Sequence, residues 1–306
     1  MSLKIIFMGT PEFAVPSLDN LRKNGYNIVG VVTAPDKLGG RGRLQVMESD
    51  VKKYAVTNRL KILQPEKLRN VEFIEELKSL NADLQIVVAF RMLPEIVWNM
   101  PHLGTLNLHG SLLPKYRGAA PINWAIMNGE KETGVTTFFL KQEIDTGDCF
   151  LQEKIPILED DTAGDLHDKM MIIGADVVLK SVQLIEKQLV TATPQNNLES
   201  TLAPKIFQET CKINFDKTVE EVYNFIRGLS PFPTAWTVLN GETLKIYGAK
   251  KENMQHHLAV GKFVTNNKNI LKISCKNGFI HCLSVQLEGK KRLDISDFLN
   301  GYKSEI

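Results

Sequence analysis

Asn107 and His109 stand two residues apart in the run Asn107-Leu108-His109-Gly110-Ser111. The apolar residues around them make positions 105–108 read as a short strand. Side chains alternate faces along a strand, so the amide and the imidazole should face one side together. An amide can donate a hydrogen bond to an oxyanion. An imidazole can move a proton near neutral pH. A carboxylate, Asp145, follows on the turn Asp145-Thr146-Gly147-Asp148, where it could orient the ring and stabilise its charged form. The chemistry on offer is oxyanion stabilisation combined with proton transfer. On residue types alone, an Asn-x-His pair is more commonly two hydrogen-bonded strand residues, so both readings stand at this point.

Other side chains suggest less. Cys149, Cys211, Cys275 and Cys282 form no C-x-x-C pair and no zinc or disulfide framework, which suits a reduced, cytoplasmic compartment. His102, His167, His256, His257 and His281 lack metal-like spacing, and His256-His257 reads as a solvent-exposed loop pair. Trp98, Trp124 and Trp236 read as core. Met8-Gly9-Thr10-Pro11 lacks the glycines of a dinucleotide-binding turn, and no Walker A pattern occurs. Residues 34–47, containing Gly39-Gly40-Arg41-Gly42-Arg43, read as a long surface loop, and a loop of that length in a compact domain is often functional.

The elements that must position these groups follow from periodicity. A chain of 306 residues suggests two domains. In the first half, strand-like runs at 4–7, 28–33, 84–90 and 105–108 alternate with helical patterns at 14–24, 73–80 and 120–128. That order predicts an α/β fold with a doubly wound, mostly parallel sheet, whose ligands bind at the C-terminal ends of the strands. Residues 133–140 and 150–157 read as paired strands around the Asp145 turn, and 162–188 as a long helix capped at Thr162. Residues 191–204, rich in Thr, Asn, Gln, Ser and Pro and without periodicity, read as a linker between domains at 1–190 and 205–306. The second domain reads as mainly β apart from a helix at 219–229, with strands at 244–249, 258–265, 270–275 and 278–286. Such spacing predicts a small OB-like β-barrel.

Charge is unevenly spread. The net formal charge is +2, yet residues 205–306 carry 15 Lys and Arg against 10 Asp and Glu. A basic second half suits a polyanionic partner, although an ordinary solvated surface would look the same. No apolar run is long enough for a membrane span, and the N-terminal residues do not read as a secretory signal.

The full string Asn107-Leu108-His109-Gly110-Ser111-Leu112-Leu113-Pro114-Lys115-Tyr116-Arg117-Gly118-Ala119-Ala120-Pro121, with Ile144-Asp145-Thr146-Gly147-Asp148, closely resembles the signature of the folate-dependent formyltransferases. The resemblance extends over nearly the whole chain. It takes in residues 8–14, 35–43 and 87–94, then Ala203-Pro204-Lys205-Ile206, Ile226-Arg227-Gly228-Leu229-Ser230-Pro231-Phe232-Pro233-Thr234-Ala235-Trp236 and Asp297-Phe298-Leu299-Asn300-Gly301. The second-half motifs resemble the tRNA-modifying branch. One departure is Phe90-Arg91-Met92, where that branch more often carries Tyr-Gly.

The resemblance implies a Rossmann-like catalytic core with a tRNA-binding β-barrel, 10-formyltetrahydrofolate as co-substrate, and no metal. It implies that the acceptor is the α-amine of methionine on initiator tRNA, attacking directly through a tetrahedral intermediate at the start of translation. Asn107 and His109 would stabilise the developing oxyanion, His109 would relay the amine proton, and Asp145 would hold His109. Phe90, Arg91, Met92, Leu93, Ser111, Leu112, Leu113 and Pro114 would flank the folate. Arg41, with Arg43, would engage the acceptor end of the tRNA, and Lys250 and Lys251 its backbone. No membrane and no obligate protein partner are implied. The same catalytic residues would also serve an amino-sugar nucleotide formyltransferase or a formyltetrahydrofolate hydrolase. A non-catalytic RNA-binding protein on a doubly wound scaffold is the reading from another class.

Overall fold

The computed structural model describes residues 3–39 and 45–302 together with Glu305. The chain divides into two compact units, each assembled from three stretches: residues 1–117, 134–155 and 167–202 in the first, and 118–133, 156–166 and 203–306 in the second.

The first unit is built on a seven-stranded sheet. Its strands are β1 (Lys4–Gly9), β2 (Asn27–Val32), β5 (Ile62–Leu63), β6 (Leu84–Val88), β7 (Thr105–His109), β8 (Glu132–Phe139) and β9 (Cys149–Pro156). The spatial order is β5-β2-β1-β6-β7-β8-β9. Strands from β5 to β7 are parallel, and β8 runs antiparallel to β7. The chain first winds outward from β1 through β2 to β5, then returns to place β6 on the other side of β1. β6 is buried along its whole length, with Gln85, its one polar residue, hydrogen-bonded to the Thr105 hydroxyl.

Helices α1 (Val15–Lys23), α2 (Asp50–Thr57), α3 (Val71–Ser79), α4 (Glu95–Trp98) and α6 (Ala163–Glu186) belong to this unit for all or most of their length. On one face, Phe73 and Leu77 of α3 and Val97 of α4 form a core with Ile6, Met8, Val32 and Val87. On the other, α6 lies over β7 and β8: a Cβ on Gly174 would sit 2.7 Å from Leu108, and Ser181 is 2.9 Å from Thr137. Leu108 thus faces α6, and Asn107 and His109 point to the opposite face. Thr162 and Asp165 cap each other reciprocally at the start of α6, with Thr162 N 2.9 Å from Asp165 and Asp165 N 3.2 Å from Thr162.

The second unit holds α5 (Pro121–Met127), α7 (Val219–Gly228) and an antiparallel sheet. Its strands are β10 (Ala235–Leu239), β11 (Glu242–Asn253), β12 (Phe263–Thr265), β13 (Leu271–Cys275), β14 (Gly278–Leu287) and β15 (Leu293–Asp294). They run in the order β10-β11-β14-β13-β12, with β15 on β14, and irregular register near Gly248 marks β11. Val222, Tyr223 and Ile226 of α7 fill the core of this curled sheet. The two-part fold, parallel α/β followed by a small antiparallel β domain, is the one anticipated.

Several local expectations are corrected. The second half carries another helix, α8 (Ile295–Gly301), whose Ile295, Phe298 and Leu299 are buried. Two turns give too short an apolar stripe to stand out in sequence. The strand expected at 258–265 is confined to β12. Residues 34–47 hold a hairpin, β3 (Lys37–Gly39) against β4 (Gln45–Met47). His256 is a half-buried structural residue whose Nε2 donates to Cys275 O at 2.7 Å while its ring packs 4.5 Å from Phe279. Trp98, Trp124 and Trp236 are each half-buried rather than interior. No helix among the described residues is long and apolar enough to cross a membrane.

Candidate active site

Asn107 is the third residue from the end of β7 and His109 the last, at the C-terminal edge of the parallel strands. Asn107 lies between Val87 of β6 and Phe138 of β8, and His109 is opposite Thr136. Asn107 is half-buried, while His109 is 6% exposed.

Two contacts define the imidazole. Its Nε2 is 2.8 Å from the carbonyl oxygen of Tyr116. A carbonyl only accepts, so Nε2 carries the hydrogen, and Nδ1 is the nitrogen whose protonation can change. Nδ1 faces Asp145 Oδ2 at 3.8 Å. Phe138 meets the ring edge-on, with centroids 6.5 Å apart. One side of the histidine is therefore fixed by backbone, and the other looks towards a carboxylate.

The two loops that supply Tyr116 and Asp145 are held firmly. After β7, the Ser111 hydroxyl donates to Lys115 O at 2.6 Å, and Thr136 Oγ1 donates to Ser111 O at 2.6 Å. Gln152 Nε2 donates to Leu113 O at 2.8 Å. Tyr116 has φ of 61°, a left-handed backbone conformation, and Asp145 has φ of 53°. Beyond Asp145, the loop presses so closely on β8 that a Cβ at Gly147 would lie 1.7 Å from Phe139 O. Only glycine permits that approach. Cys149 lies two residues further on, and burial pushes its thiol upward in pKa, which disfavours a thiolate there.

The residues expected around the folate divide by exposure. At the end of β6, Ala89 adopts φ of 48° and leads into half-buried Phe90 and into Met92, which is 77% exposed. Leu112 and Pro114 are half-buried, whereas Leu93, Ser111 and Leu113 are buried. Ser111 spends its hydroxyl on the loop, and Leu93 packs in the core with Val87 and Val97. Arg91 donates to Pro65 O at 2.8 Å and Glu66 O at 3.0 Å, with its guanidinium 5.3 Å from the centre of the Phe90 ring.

Of the residues expected at the tRNA, Arg41 and Arg43 lie outside the described residues. Lys250 is exposed. Lys251 is engaged by Glu159 at 3.0 Å and Glu220 at 2.6 Å. Among the described residues no group of three or more His, Cys, Asp or Glu is arranged to hold a metal ion.

Sequence reasoning missed Arg117, Gln195 and Thr201. Arg117 donates to Gln195 Oε1 from Nε at 3.0 Å and from a terminal nitrogen at 2.7 Å. Gln195 Nε2 donates in turn to Asp145 O and Gly147 O, at 2.8 and 2.7 Å. Thr201 Oγ1 accepts from Tyr116 N at 2.8 Å. Gln195 and Thr201 are isolated polar residues in an aperiodic stretch, and nothing in the sequence ties them to Arg117 or to the loops they bond.

Comparison with known proteins places the chain in a family. The formyl transferase pattern matches residues 3–182, and the formyl transferase C-terminal domain pattern matches residues 205–303. A methionyl-tRNA formyltransferase of Parabacteroides distasonis is 52% identical over 98% of this chain and 96% of its own. Another, from Phocaeicola vulgatus, is 54% identical over 99% and 96%. Among solved structures, the N-formyltransferase from Helicobacter canadensis, in complex with folinic acid and dTDP-3-aminofucose, superposes with a TM-score of 0.70 at 26% identity, over 92% of this chain and 98% of that one. Matched by both domain patterns and by relatives more than half identical from end to end, the chain belongs to the formyl transferase family.

Proposed function

We propose that this chain transfers the formyl group of 10-formyltetrahydrofolate to the α-amine of methionine carried by initiator tRNA, with Asn107, His109 and Asp145 as its catalytic residues. The observation that carries the reading is the fixed tautomer of His109: Nε2 is committed to Tyr116 O, which leaves Nδ1 beside Asp145, one strand position pair beyond Asn107 on the same face.

The folate donor supplies an activated formyl group, so the protein must orient it, stabilise the oxygen on which charge develops, and move one proton. Asn107 donates to that oxygen, and His109 stands beside it. A nitrogen of the acceptor amine, or a water, lying along the 3.8 Å edge between Nδ1 and Asp145 can bond both atoms. His109 Nδ1 takes the proton from the attacking amine and passes it towards the folate nitrogen that leaves. Asp145 holds the charged ring in place.

The donor fits an apolar edge with few polar side chains. Phe90, Met92, Leu112 and Pro114 present accessible apolar surface near the end of β6 and β7. Leu93, Ser111 and Leu113 shape that edge from beneath, and Arg91 fixes the Phe90 ring. For the acceptor, Arg41 and Arg43 remain the residues proposed for the tRNA end, and exposed Lys250 suits a phosphate contact. Lys251, already paired with two carboxylates, contributes less. The more-than-half identity to methionyl-tRNA formyltransferases favours this acceptor over an amino sugar.

Asn107→Ala tests the chemistry. Loss of one oxyanion donor is expected to lower single-turnover formyl transfer by about 10²–10³-fold, with folate affinity retained. An alanine variant with near-normal turnover would contradict the assignment.

A further inference from the structure

We infer that Gln195, oriented by Arg117, is a positioning residue for the Asp145 loop, and that the polar segment 193–202 serves as a brace for both partners of His109. The inference rests on the formyl-transfer reading above and extends it to residues outside the catalytic trio.

The orientation of Gln195 is chemically determined. The Arg117 guanidinium only donates, so the side-chain oxygen of Gln195 must face it, at 3.0 and 2.7 Å. The amide nitrogen is thereby turned to Asp145 and Gly147, whose carbonyls only accept, at 2.8 and 2.7 Å. Asn197 Oδ1 takes a further Arg117 hydrogen at 2.8 Å. One amide thus ties down both ends of the turn that carries Asp145. Two backbone bonds between Thr193 and Cys149, at 2.9 and 2.8 Å, fix the same loop two residues beyond Gly147.

The same segment reaches the other side of the histidine. Thr201 Oγ1 accepts from Tyr116 N, and Thr201 O accepts from Arg117 N at 2.9 Å. Tyr116 is the residue whose carbonyl holds Nε2 of His109. Asp145 sits in a left-handed backbone conformation, which a non-glycine residue keeps where its surroundings hold it. An element that grips both loops sets the separation between Asp145 and the imidazole, and misplacement by about 1 Å can lower a rate roughly 10²-fold.

The test is a double-mutant cycle with a control for stability. Gln195→Ala should lower kcat about 10- to 100-fold, the usual scale for residues that orient a reacting group, while KM for donor and acceptor changes little. Gln195→Glu keeps, with charge assistance, the bonds to Arg117 but turns an acceptor towards two carbonyls. Its melting temperature should hold while kcat falls as in Gln195→Ala. In Asp145→Ala/Gln195→Ala, the second substitution should add nothing, because Gln195 acts through Asp145. Gln195→Ala or Gln195→Glu with kcat near wild type, or multiplying losses in the double variant, would overturn the inference. The cycle uses whichever acceptor the wild-type protein formylates, charged initiator tRNA or an amino sugar. Failure on tRNA alone then overturns the acceptor reading and leaves the brace standing or falling by its own numbers. Failure on both acceptors overturns the brace as well.

Discussion

The setting of the proposed catalytic residue His109 is fixed by the two loops that flank it. The Tyr116 carbonyl sets which nitrogen is free, and the close seating of the Asp145 loop against β8 sets what that nitrogen faces. Gly147 is the residue on which the seating depends, because any Cβ there would collide with Phe139 O. Gly147→Ala must push the loop outward, so kcat is expected to fall by about 10²-fold, more than any accompanying change in melting temperature would suggest. Activity within a few-fold of wild type would show that the loop can shift without harm. The pairing of Asn107 with His109 on one face was legible in the sequence, because a strand alternates with a period of two. The burial of Ser111 and Leu113 was not, since it depends on Thr136 and Gln152 from distant strands. Gln195 was equally hidden, a single amide inside a stretch whose composition reads as linker.

Helix α7 shows how an element gains stability from its first turn. Thr218 accepts from Glu221 N at 3.3 Å, and Glu221 accepts from Thr218 N at 2.9 Å, a reciprocal cap. Thr218→Ala is expected to lower stability by about 1 kcal/mol, measured by urea unfolding. The Lys217 ammonium and the two Thr218 donors hold the Glu221 carboxyl down to about 2. A carboxyl depressed in the folded state stabilises the protein above its ordinary range near 4.5, and that stabilisation is lost as pH falls towards 2. The Glu221 side chain is 49% exposed, so solvent screening keeps the effect modest. Urea unfolding at pH 7 and pH 3 should show a smaller acid loss for Glu221→Gln than for wild type. Equal losses would mean that Glu221 titrates alike in both states. Long periodic elements such as α6 and α7 were legible because many residues repeat one signal. The two-turn α8 and the three-residue strand β12 were not, because tertiary packing rather than periodicity defines them.

At the scale of the molecule, the sequence carries two kinds of information. The alternation of strands and helices in the first half and the short strands of the second announced the architecture, whereas the order β5-β2-β1-β6-β7 and the two-residue strand β5 are set by tertiary packing. The surplus of Lys and Arg after residue 204 bears on the proposed tRNA contact instead. Many of those charges are spent internally: Lys251 on Glu159 and Glu220, Lys272 on Glu252. Exposed lysines such as Lys250 are the ones proposed to meet phosphate. Affinity for initiator tRNA should therefore fall with salt, and Lys250→Ala should reduce the salt slope by about 1, whereas Lys251→Ala should change it less. A salt-independent affinity would contradict a basic tRNA-binding surface.

The most direct test of the account as a whole is one transfer assay with competing acceptors. The protein is supplied with 10-formyltetrahydrofolate and, in parallel, with methionine-charged initiator tRNA, charged elongator tRNA and an amino-sugar nucleotide. Rapid formylation of the methionine on initiator tRNA is expected, and little on the other two. Formylation of the amino sugar alone would contradict the acceptor and leave Asn107, His109 and Asp145 in their places. Release of formate with no formylated acceptor would contradict formyl transfer itself.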